Sequence, residues 1–379
     1  MMTSTSHPGD HVDARADARL DELLRREVVE PGVAPSAVVA FARRDADGGW
    51  RGSIGACGAA RNAIFDLASV TKPLTALSAM WLVAQGTLAL DATVADVLPE
   101  LDDTAAARAR LDDLLSHRAG LPSWGALYRA DPWSATVEVS MAPDALAEVP
   151  LEVLLRRAAS RRQTDAIGPS APSLYSDLGY VLVGAMIARV TNRPLFQAWE
   201  ALSGATSAGR LRAREPDFDA RVLPTEHVPW RSGDVRGVVH DENAFMLERA
   251  GGDPGHAGAF ATLDDVLSFS ARFVDALDGL DGVDPLLPSD LSATMIAPRA
   301  LGSHRLGWDG VTVGASSSGT HFGGRSFGHL GFTGTSVWID PDARVVAVLL
   351  TNRSYPTRKN VAIRAARPRV HDALFELCR

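Results

Sequence analysis

An apolar run without charged residues constrains the fold of this chain more than any other feature. Residues 74–90 carry no formal charge, and they directly follow Pro73. Proline is tolerated only in the first turn of a helix, so the helix must begin close to Ser69. A helix that is apolar on every side is buried, and this one is too short to cross a bilayer. We therefore expect a central buried helix that begins near Ser69 and ends near Gly86.

The start of this helix carries a Ser-x-x-Lys motif, formed by Ser69 and Lys72. Lysine occurs elsewhere only at Lys359, and the other residues among the 38 Lys and Arg are Arg. Arg stays protonated in proteins, whereas a desolvated Lys can lose its proton and act as a base. Residues three apart share a helix face, so the hydroxyl and the amine can meet. The alternative is a capping Ser beside a surface Lys, but the apolar flank favours a nucleophile and its base at the positive end of the helix dipole.

Composition sets limits on the class of protein. A chain of 379 residues with 46% hydrophobic content can bury a large core in one or two domains. The net charge of −8 argues against nucleic acid or an anionic membrane as a partner. Cys57 and Cys378 are too few for a disulfide framework or a zinc site. Residues 1–30 lack the apolar core of a secretory signal, so we expect a cytoplasmic protein with a frayed arm over residues 1–13.

Periodicity predicts an α+β fold. Strand patterns occur near both ends of the chain, and the middle is dominated by short helical patterns with Pro and Gly breaks. We expect one antiparallel sheet built from residues 1–94 and 255–379, a mainly helical insertion over 95–254, and a cleft between them. The individual predictions are helices at 14–29, 108–116, 151–160, 181–190 and 361–377, strands at 36–43, 50–55, 334–340 and 344–352, and a long loop at 204–237.

Two further segments carry side chains or backbone groups suited to catalysis. Tyr175 precedes the apolar run 181–190, and a phenol beside a Lys ammonium can be held as a phenolate or share its proton. Tyr175 is therefore a candidate proton shuttle, with a packing role as the alternative. Glycines at 328, 331 and 334 allow a substrate to approach a strand edge closely and can expose N–H groups that complete an oxyanion hole. The alternative is that these glycines only weaken the edge of a strand.

One serine motif is interpreted as a decoy. Ser326 lies in a Gly-x-Ser-x-Gly sequence, and Asp340 and His371 follow in the order of an α/β-hydrolase triad. That motif requires a strand–turn–helix elbow, whereas a glycine-rich strand pattern follows Ser326. The histidines at 117, 240 and 256 lack metal-ligand spacing, and we expect them to order loops through hydrogen bonds.

Together these motifs resemble the β-lactamase-like serine hydrolases, a group that includes class C β-lactamases, D-alanyl-D-alanine peptidases and carboxylesterases. The resemblance covers most of the chain. Besides Ser-x-x-Lys, it rests on Tyr-Ser-Asp at 175–177, His-Leu-Gly at 329–331, Leu-Ser-His-Arg-Ala-Gly-Leu-Pro at 115–122, Gly-His-Ala-Gly at 255–258 and Leu-Thr-Asn-Arg at 350–353.

The resemblance implies roles for individual residues. Ser69 would be the nucleophile, Lys72 its base partner and Tyr175 the second proton carrier, and the backbone amides of Ser69 and Phe332 would form the oxyanion hole. It also implies a transient acyl-enzyme, a small-molecule ester or amide substrate, and no metal or organic cofactor. The substrate-binding positions that it implies are Asp177, His329, Gly331 and Asn352.

Two departures from the family pattern bear on the substrate. His329-Leu330-Gly331 stands where β-lactamases and peptidases usually have Lys-Thr-Gly, and Asp177 stands where many relatives have Asn. The first departure removes a fixed cation and a hydroxyl, which weakens recognition of a substrate carboxylate. The carboxylate of Asp177 disfavours anionic substrates and tends to keep Lys72 protonated. We therefore expect cleavage of small neutral esters. The alternatives are a β-lactamase or D-amino-acid-peptide hydrolase, and a catalytically silent binding protein on the same fold.

Overall fold

A computed structural model describes residues 14–46, 48–136, 142, 148–203, 217–280, 286–312 and 314–378. Within these ranges the helices are α1 (Ala14–Leu24), α2 (Thr71–Ala84), α3 (Val94–Val97), α4 (Leu111–Leu115), α5 (Leu151–Ala159), α6 (Asp177–Thr191), α7 (Leu195–Ser203), α8 (Phe218–Arg221), α9 (Glu242–Arg249), α10 (Leu263–Leu277), α11 (Ser289–Ile296) and α12 (Ile363–Leu377). The strands are β1 (Ala37–Arg44), β2 (Trp50–Cys57), β3 (Phe65–Asp66), β4 (Pro224–Val228), β5 (Gly233–Arg236), β6 (Phe260–Ala261), β7 (Asp309–Gly310), β8 (Phe327–Leu330), β9 (Ser336–Asp340) and β10 (Val345–Thr351). A π-helical segment, Arg25–Val29, continues α1, and 3₁₀ turns occur at Ala68–Val70, Pro99–Leu101 and Pro229–Arg231.

The main sheet joins the two ends of the chain. Its six strands lie in the order β2-β1-β10-β9-β8-β7, and every neighbouring pair is antiparallel. The central pairing sets Ala37 opposite Thr351 and Arg43 opposite Val345. The structure therefore confirms the α+β fold with an antiparallel sheet formed from both chain ends. The division at residues 95 and 254 into a sheet part and a helical insertion stays a prediction.

Both faces of the sheet are buried, because alternate side chains of its strands enter two different apolar clusters. Val38 and Val348 pack with α2 and α10 on one face. Val39 and Leu349 pack with α1 and α12 on the other. This explains why β10 is buried along its whole length rather than in alternation.

Helix α2 lies within the larger of these clusters. Twelve of its residues are buried, from Thr71 to Leu82, and Lys72 is among them. The 3₁₀ turn Ala68–Val70 leads directly into it, so the predicted buried helix from Ser69 is confirmed. Its last helical residue is Ala84, and Gly86 follows with a positive φ of 68° that ends the element.

The predicted terminal elements are also present, with shifts at their ends. The 334–340 and 344–352 hairpin corresponds to β9 and β10, and the predicted first and last helices correspond to α1 with its π-helical extension and to α12. The predicted helix at 108–116 is shorter, since α4 begins only at Leu111, where the Asp113 carboxylate accepts a hydrogen bond from the Arg110 N–H. The predicted arm over residues 1–13 lies outside the described residues.

The prediction of a long loop over 204–237 is wrong where the structure describes that segment. Residues 217–237 form α8 and the β4–β5 hairpin, while residues 204–216 lie outside the described part. Glu226 on β4 anchors the hairpin through hydrogen bonds to the Arg358 side chain at 2.6 to 3.0 Å. This contact spans 132 residues, so a local sequence pattern cannot show it. No helix in the described ranges is both long and apolar enough to span a bilayer.

Candidate active site

The turn before α2 holds Ser69 in a fixed orientation. Ala68 has a φ of 47°, a left-handed value that costs a non-glycine residue about 1–2 kcal/mol. The buried Asp66 carboxylate accepts hydrogen bonds from the N–H groups of Ala68, at 2.8 Å, and His240, at 2.7 Å. Burial raises the pKa of Asp66, although these two bonds oppose the shift. Backbone strain immediately before Ser69 is therefore held in place by the surrounding structure.

Three predicted catalytic side chains meet at the Ser69 hydroxyl. Lys72 Nζ lies 2.8 Å from Ser69 Oγ, and the Tyr175 hydroxyl lies 2.8 Å from the same atom. Lys72 is fully buried, whereas Ser69 is partly exposed. Such a hydroxyl, within hydrogen-bond reach of an amine and a phenol, can be deprotonated and can attack a carbonyl carbon.

Two further oxygen atoms surround the Lys72 amine. Lys72 Nζ donates to the His256 carbonyl at 2.9 Å and lies 2.6 Å from Asp177 Oδ1. Burial lowers the pKa of Lys72, and the Asp177 carboxylate opposes that shift. The Asp177 contact agrees with the expectation that an acid at this position tends to keep Lys72 protonated. The net direction, set by burial, is towards an amine that can accept a proton.

Tyr175 is held in place by the residues before α6. The next residue, Ser176, donates from its side chain to the Pro122 carbonyl at 2.6 Å and from its N–H to His117 Nδ1 at 3.1 Å. Loss of water around the phenol, and then the Asp177 charge, raise the pKa of Tyr175 well above its usual value. Of the two forms that the sequence left open, this direction favours a protonated phenol that donates to Ser69.

The Gly331–Phe332 backbone forms the opposite wall. A Cβ atom at Gly331 would collide with the Thr335 hydroxyl and the Leu67 carbonyl, so the close approach there is between two protein segments. Arg367 donates to the Gly331 carbonyl at 2.6 Å, and Arg353 Nε donates to the Phe332 carbonyl at 2.6 Å. The two arginines thereby fix the peptide groups on both sides of the Phe332 α-carbon, and the first of these groups contains the Phe332 N–H. The hydrogen bonds found among the described residues make no use of the Phe332 N–H, which suits it to an oxyanion hole.

Ser69, Tyr175, Asp177, His329, Gly331 and Phe332 line one cavity of about 430 Å³. A cavity of this size suits a small organic ligand. His329 is buried, and burial followed by the Lys72 charge lowers its pKa well below the usual value. Its Nδ1 lies 2.9 Å from the Leu330 carbonyl, which can only accept, so Nδ1 carries the proton. A neutral imidazole therefore stands where family members usually have a Lys.

Asn352 does not line this cavity. Its side-chain oxygen accepts a hydrogen bond from the Ser36 N–H at 3.1 Å, and its nitrogen donates to the Pro224 carbonyl at 3.1 Å. These contacts join β4 to the segment before β1. Asn352 therefore lies apart from the other predicted substrate-binding residues. Its side chain forms hydrogen bonds to backbone groups instead.

The alternative serine motif does not form a triad. Ser326 is buried and donates to Asp340 Oδ2 at 3.0 Å, but His371 Nε2 instead lies 2.8 Å from Ser336 Oγ. Strand β8 follows Ser326 directly, so the strand–turn–helix elbow is missing there. The prediction that Ser326 is a decoy agrees with this geometry.

The inner histidines make the predicted loop-ordering hydrogen bonds. Besides His117, described above, His240 Nε2 lies 2.8 Å from Glu226 Oε2, and His256 Nε2 lies 2.8 Å from Asp241 Oδ1. The contact between the His256 carbonyl and Lys72 was not predicted, although the Gly-His-Ala-Gly motif marks that segment. The positions of Arg353 and Arg367 at the cavity were not predicted either, even though the arginine-rich start of α12 was a visible signal.

Comparisons with known proteins agree with this architecture. The chain matches the family model described as Beta-lactamase over residues 20–370. It is 31% identical over 317 residues to Esterase EstB of Burkholderia gladioli, covering 77% of this chain and 78% of that protein. It is 26% identical over 328 residues to a putative D-alanyl-D-alanine carboxypeptidase of Escherichia coli (strain K12), covering 77% and 69%. The crystal structure of a class C beta lactamase from Rhodobacter sphaeroides superposes with a TM-score of 0.65 at 19% identity, covering 95% of this chain and 99% of that one. The chain therefore belongs to the Beta-lactamase family of serine hydrolases.

Proposed function

We propose that this enzyme cleaves small carboxylic esters through an acyl-enzyme on Ser69. The observation that carries the proposal is the meeting of Lys72 Nζ and the Tyr175 hydroxyl at Ser69 Oγ, each at 2.8 Å, beside the cavity. The similarity to Esterase EstB supports an ester rather than an amide as substrate. The neutral His329 in place of the family's usual Lys departs from the pattern of the β-lactamases and peptidases, and this departure also supports an esterase.

In the acylation step, neutral Lys72 accepts the Ser69 proton while Oγ bonds to the ester carbonyl carbon. The N–H groups of Ser69 and Phe332 stabilise the negative charge on the carbonyl oxygen. The carbon–alkoxy bond then breaks, and Tyr175 donates its proton to the leaving alkoxide and recovers one from Lys72. In deacylation, water attacks the acyl carbonyl carbon, and its proton passes by way of Lys72 and Tyr175 to the departing Ser69 Oγ. The carboxylic acid is released and Ser69 is restored.

The decisive experiment compares Ser69→Ala with Ser326→Ala. We expect wild-type protein to release a burst of nitrophenol from a short-chain nitrophenyl ester and to form a phosphonate adduct that mass spectrometry maps to Ser69. Ser69→Ala should lose both signals, whereas Ser326→Ala should keep them, because the Ser326 hydroxyl donates to Asp340 and, among the described residues, to no amine or phenol. A folded wild-type protein without burst or adduct would support a silent binding protein. Turnover of a chromogenic cephalosporin without turnover of any ester would support a β-lactamase.

The cellular location belongs to the same proposal. That the enzyme acts on small esters in the cytoplasm remains a prediction. Activity assays on separated cytoplasmic and extracytoplasmic fractions of the native host would test it.

A further inference from the structure

One wall of the catalytic cavity is rich in arginine. Arg353, Arg364 and Arg367 line it beside Gly331 and Phe332. Arg353 follows β10, and the other two lie on the first turns of α12. The backbone contacts of Arg353 and Arg367 described above orient the turn between β8 and β9 that carries Phe332. Contacts of this kind do not neutralise the positive charge of a guanidinium, because a backbone carbonyl carries no net charge.

The acidic residues that line the cavity already have cationic or histidine partners. Asp177 pairs with Lys72 at 2.6 Å, Asp241 with His256 at 2.8 Å, and Asp309 with His304 at 3.4 Å. The fourth acidic residue, Glu242, pairs with Arg358 at 2.5 Å, and the same guanidinium binds Glu226 at 2.6 Å. Among the described residues, Arg353, Arg364 and Arg367 form no ion pair with a carboxylate.

The three guanidinium groups also repel one another. Burial, and then the charges of the neighbouring arginines, lower the pKa of Arg367 to about 9 and that of Arg353 to about 10. Both therefore stay protonated at neutral pH. Arg367 is 7% exposed, and its Nε has no hydrogen-bond partner in the described structure. Arg364 is exposed at the cavity, and within the described part of the chain its guanidinium makes no hydrogen bond. Buried donors and unpaired cations of this kind favour an anionic ligand.

We infer that this wall is a subsite for a carboxylate group carried by the substrate, with Arg364 as its main contact and Arg353 and Arg367 supplying the surrounding positive potential. The inference rests on the proposed esterase function and narrows its substrate class to esters of dicarboxylic acids or of hydroxy acids. It replaces the expectation of neutral esters. That expectation followed from the loss of the family's usual Lys at His329-Leu330-Gly331 and from the charge at Asp177. The wall supplies cationic charge from Arg353, Arg364 and Arg367 instead, and the Asp177 carboxylate lies 2.6 Å from Lys72 Nζ.

The test compares esters that differ only in one negative charge. On the acyl side the pair is 4-nitrophenyl hydrogen glutarate and its methyl ester, and on the alcohol side it is 4-acetoxybenzoate and its methyl ester. We expect wild-type kcat/KM, corrected for spontaneous hydrolysis, to be higher for the charged member of at least one pair. Arg364→Gln should lower that charged-to-neutral ratio about tenfold, the effect of losing one charge-assisted contact.

Arg369→Gln is the matched control, since Arg369 lies on the same helix but is exposed and pairs with Glu27 at 2.7 Å. It should leave the ratio unchanged. Ratios of one or below for both pairs, or equal ratios in wild type and Arg364→Gln, would refute the subsite while leaving the esterase proposal intact.

Calorimetry separates the two proposals if no ester is hydrolysed. Monomethyl glutarate should bind wild type and Arg369→Gln alike, and bind Arg364→Gln about tenfold more weakly. That result would retain the anion subsite although the esterase function had failed. Equal binding by all three proteins, or no binding to wild type, would overturn the subsite.

Discussion

Replacing Lys72 by Arg tests whether this residue acts as a base or only as a cation. Lys72 Nζ is surrounded by the Ser69 hydroxyl at 2.8 Å, the His256 carbonyl at 2.9 Å and Asp177 Oδ1 at 2.6 Å. The first two contacts are hydrogen bonds and the third is an ion pair, so oxygen atoms of three residues surround the compact ammonium of Lys. Arg retains the positive charge and much of the length, but its guanidinium does not release a proton near neutral pH.

The expected magnitude has a chemical part and a steric part. Loss of a positioned general base costs at least about 10²-fold in turnover. The larger, planar head group must also fit between the rings of Tyr175 and Tyr180, whose centroids lie 5.0 and 5.6 Å from Nζ. Overpacking of this kind costs about 1–3 kcal/mol of the free energy of unfolding, which a chain with so large a core should survive.

The assay is turnover of the best ester from pH 6 to pH 10, with circular dichroism and urea unfolding as controls for folding. We expect Lys72→Arg to be folded and to remain at least about 10²-fold slower at every pH, because no pH in this range deprotonates Arg. A folded variant within a few-fold of wild type would refute the base role and would assign proton acceptance to Tyr175.

Two further substitutions test the charges around the site. Asp177→Asn removes the carboxylate that raises the pKa of Lys72, so burial should lower this pKa further and shift the acidic limb of the kcat/KM profile to lower pH by about one pH unit or more. A limb at the wild-type pH would contradict this electrostatic coupling. Arg358→Ala leaves two buried carboxylates without their cation and should cost about 3–5 kcal/mol in urea unfolding, whereas the exposed Lys359→Ala should cost almost nothing. Equal midpoints for these two variants would show that the buried network contributes little stability.

The parts of the site that depend on local sequence were predictable. Ser69 and Lys72 meet because residues three apart share a helix face, and both lie at the start of a helix whose apolar composition marks it as buried. The β9–β10 hairpin was equally visible, since Pro341 and Asp342 separate two apolar runs. In these cases a short stretch of chain determines the geometry.

The parts that depend on tertiary contacts were not predictable from the pattern alone. Tyr175 reaches Ser69 across 106 residues, and only the family resemblance pointed to that contact. The β4–β5 hairpin is fixed by the buried Arg358, and its strands are short and polar enough to look like a loop. Asn352 lies in a motif typical of the family and was therefore predicted to bind substrate. Its amide instead joins two backbone segments and does not reach the cavity.

The pairing of β1 with β10 has a consequence for how the chain folds. Ala37 lies opposite Thr351, so a strand translated early finds its partner only after more than three hundred further residues have been made. Closing such a loop is entropically costly, and folds dominated by distant pairings form slowly. On the ribosome, the apolar edge of β1 would stay uncovered during most of synthesis and would be open to aggregation. The turn between β8 and β9, which carries Phe332, is made in the same late stage, so the nascent chain would acquire its sheet and the wall of its cavity almost together.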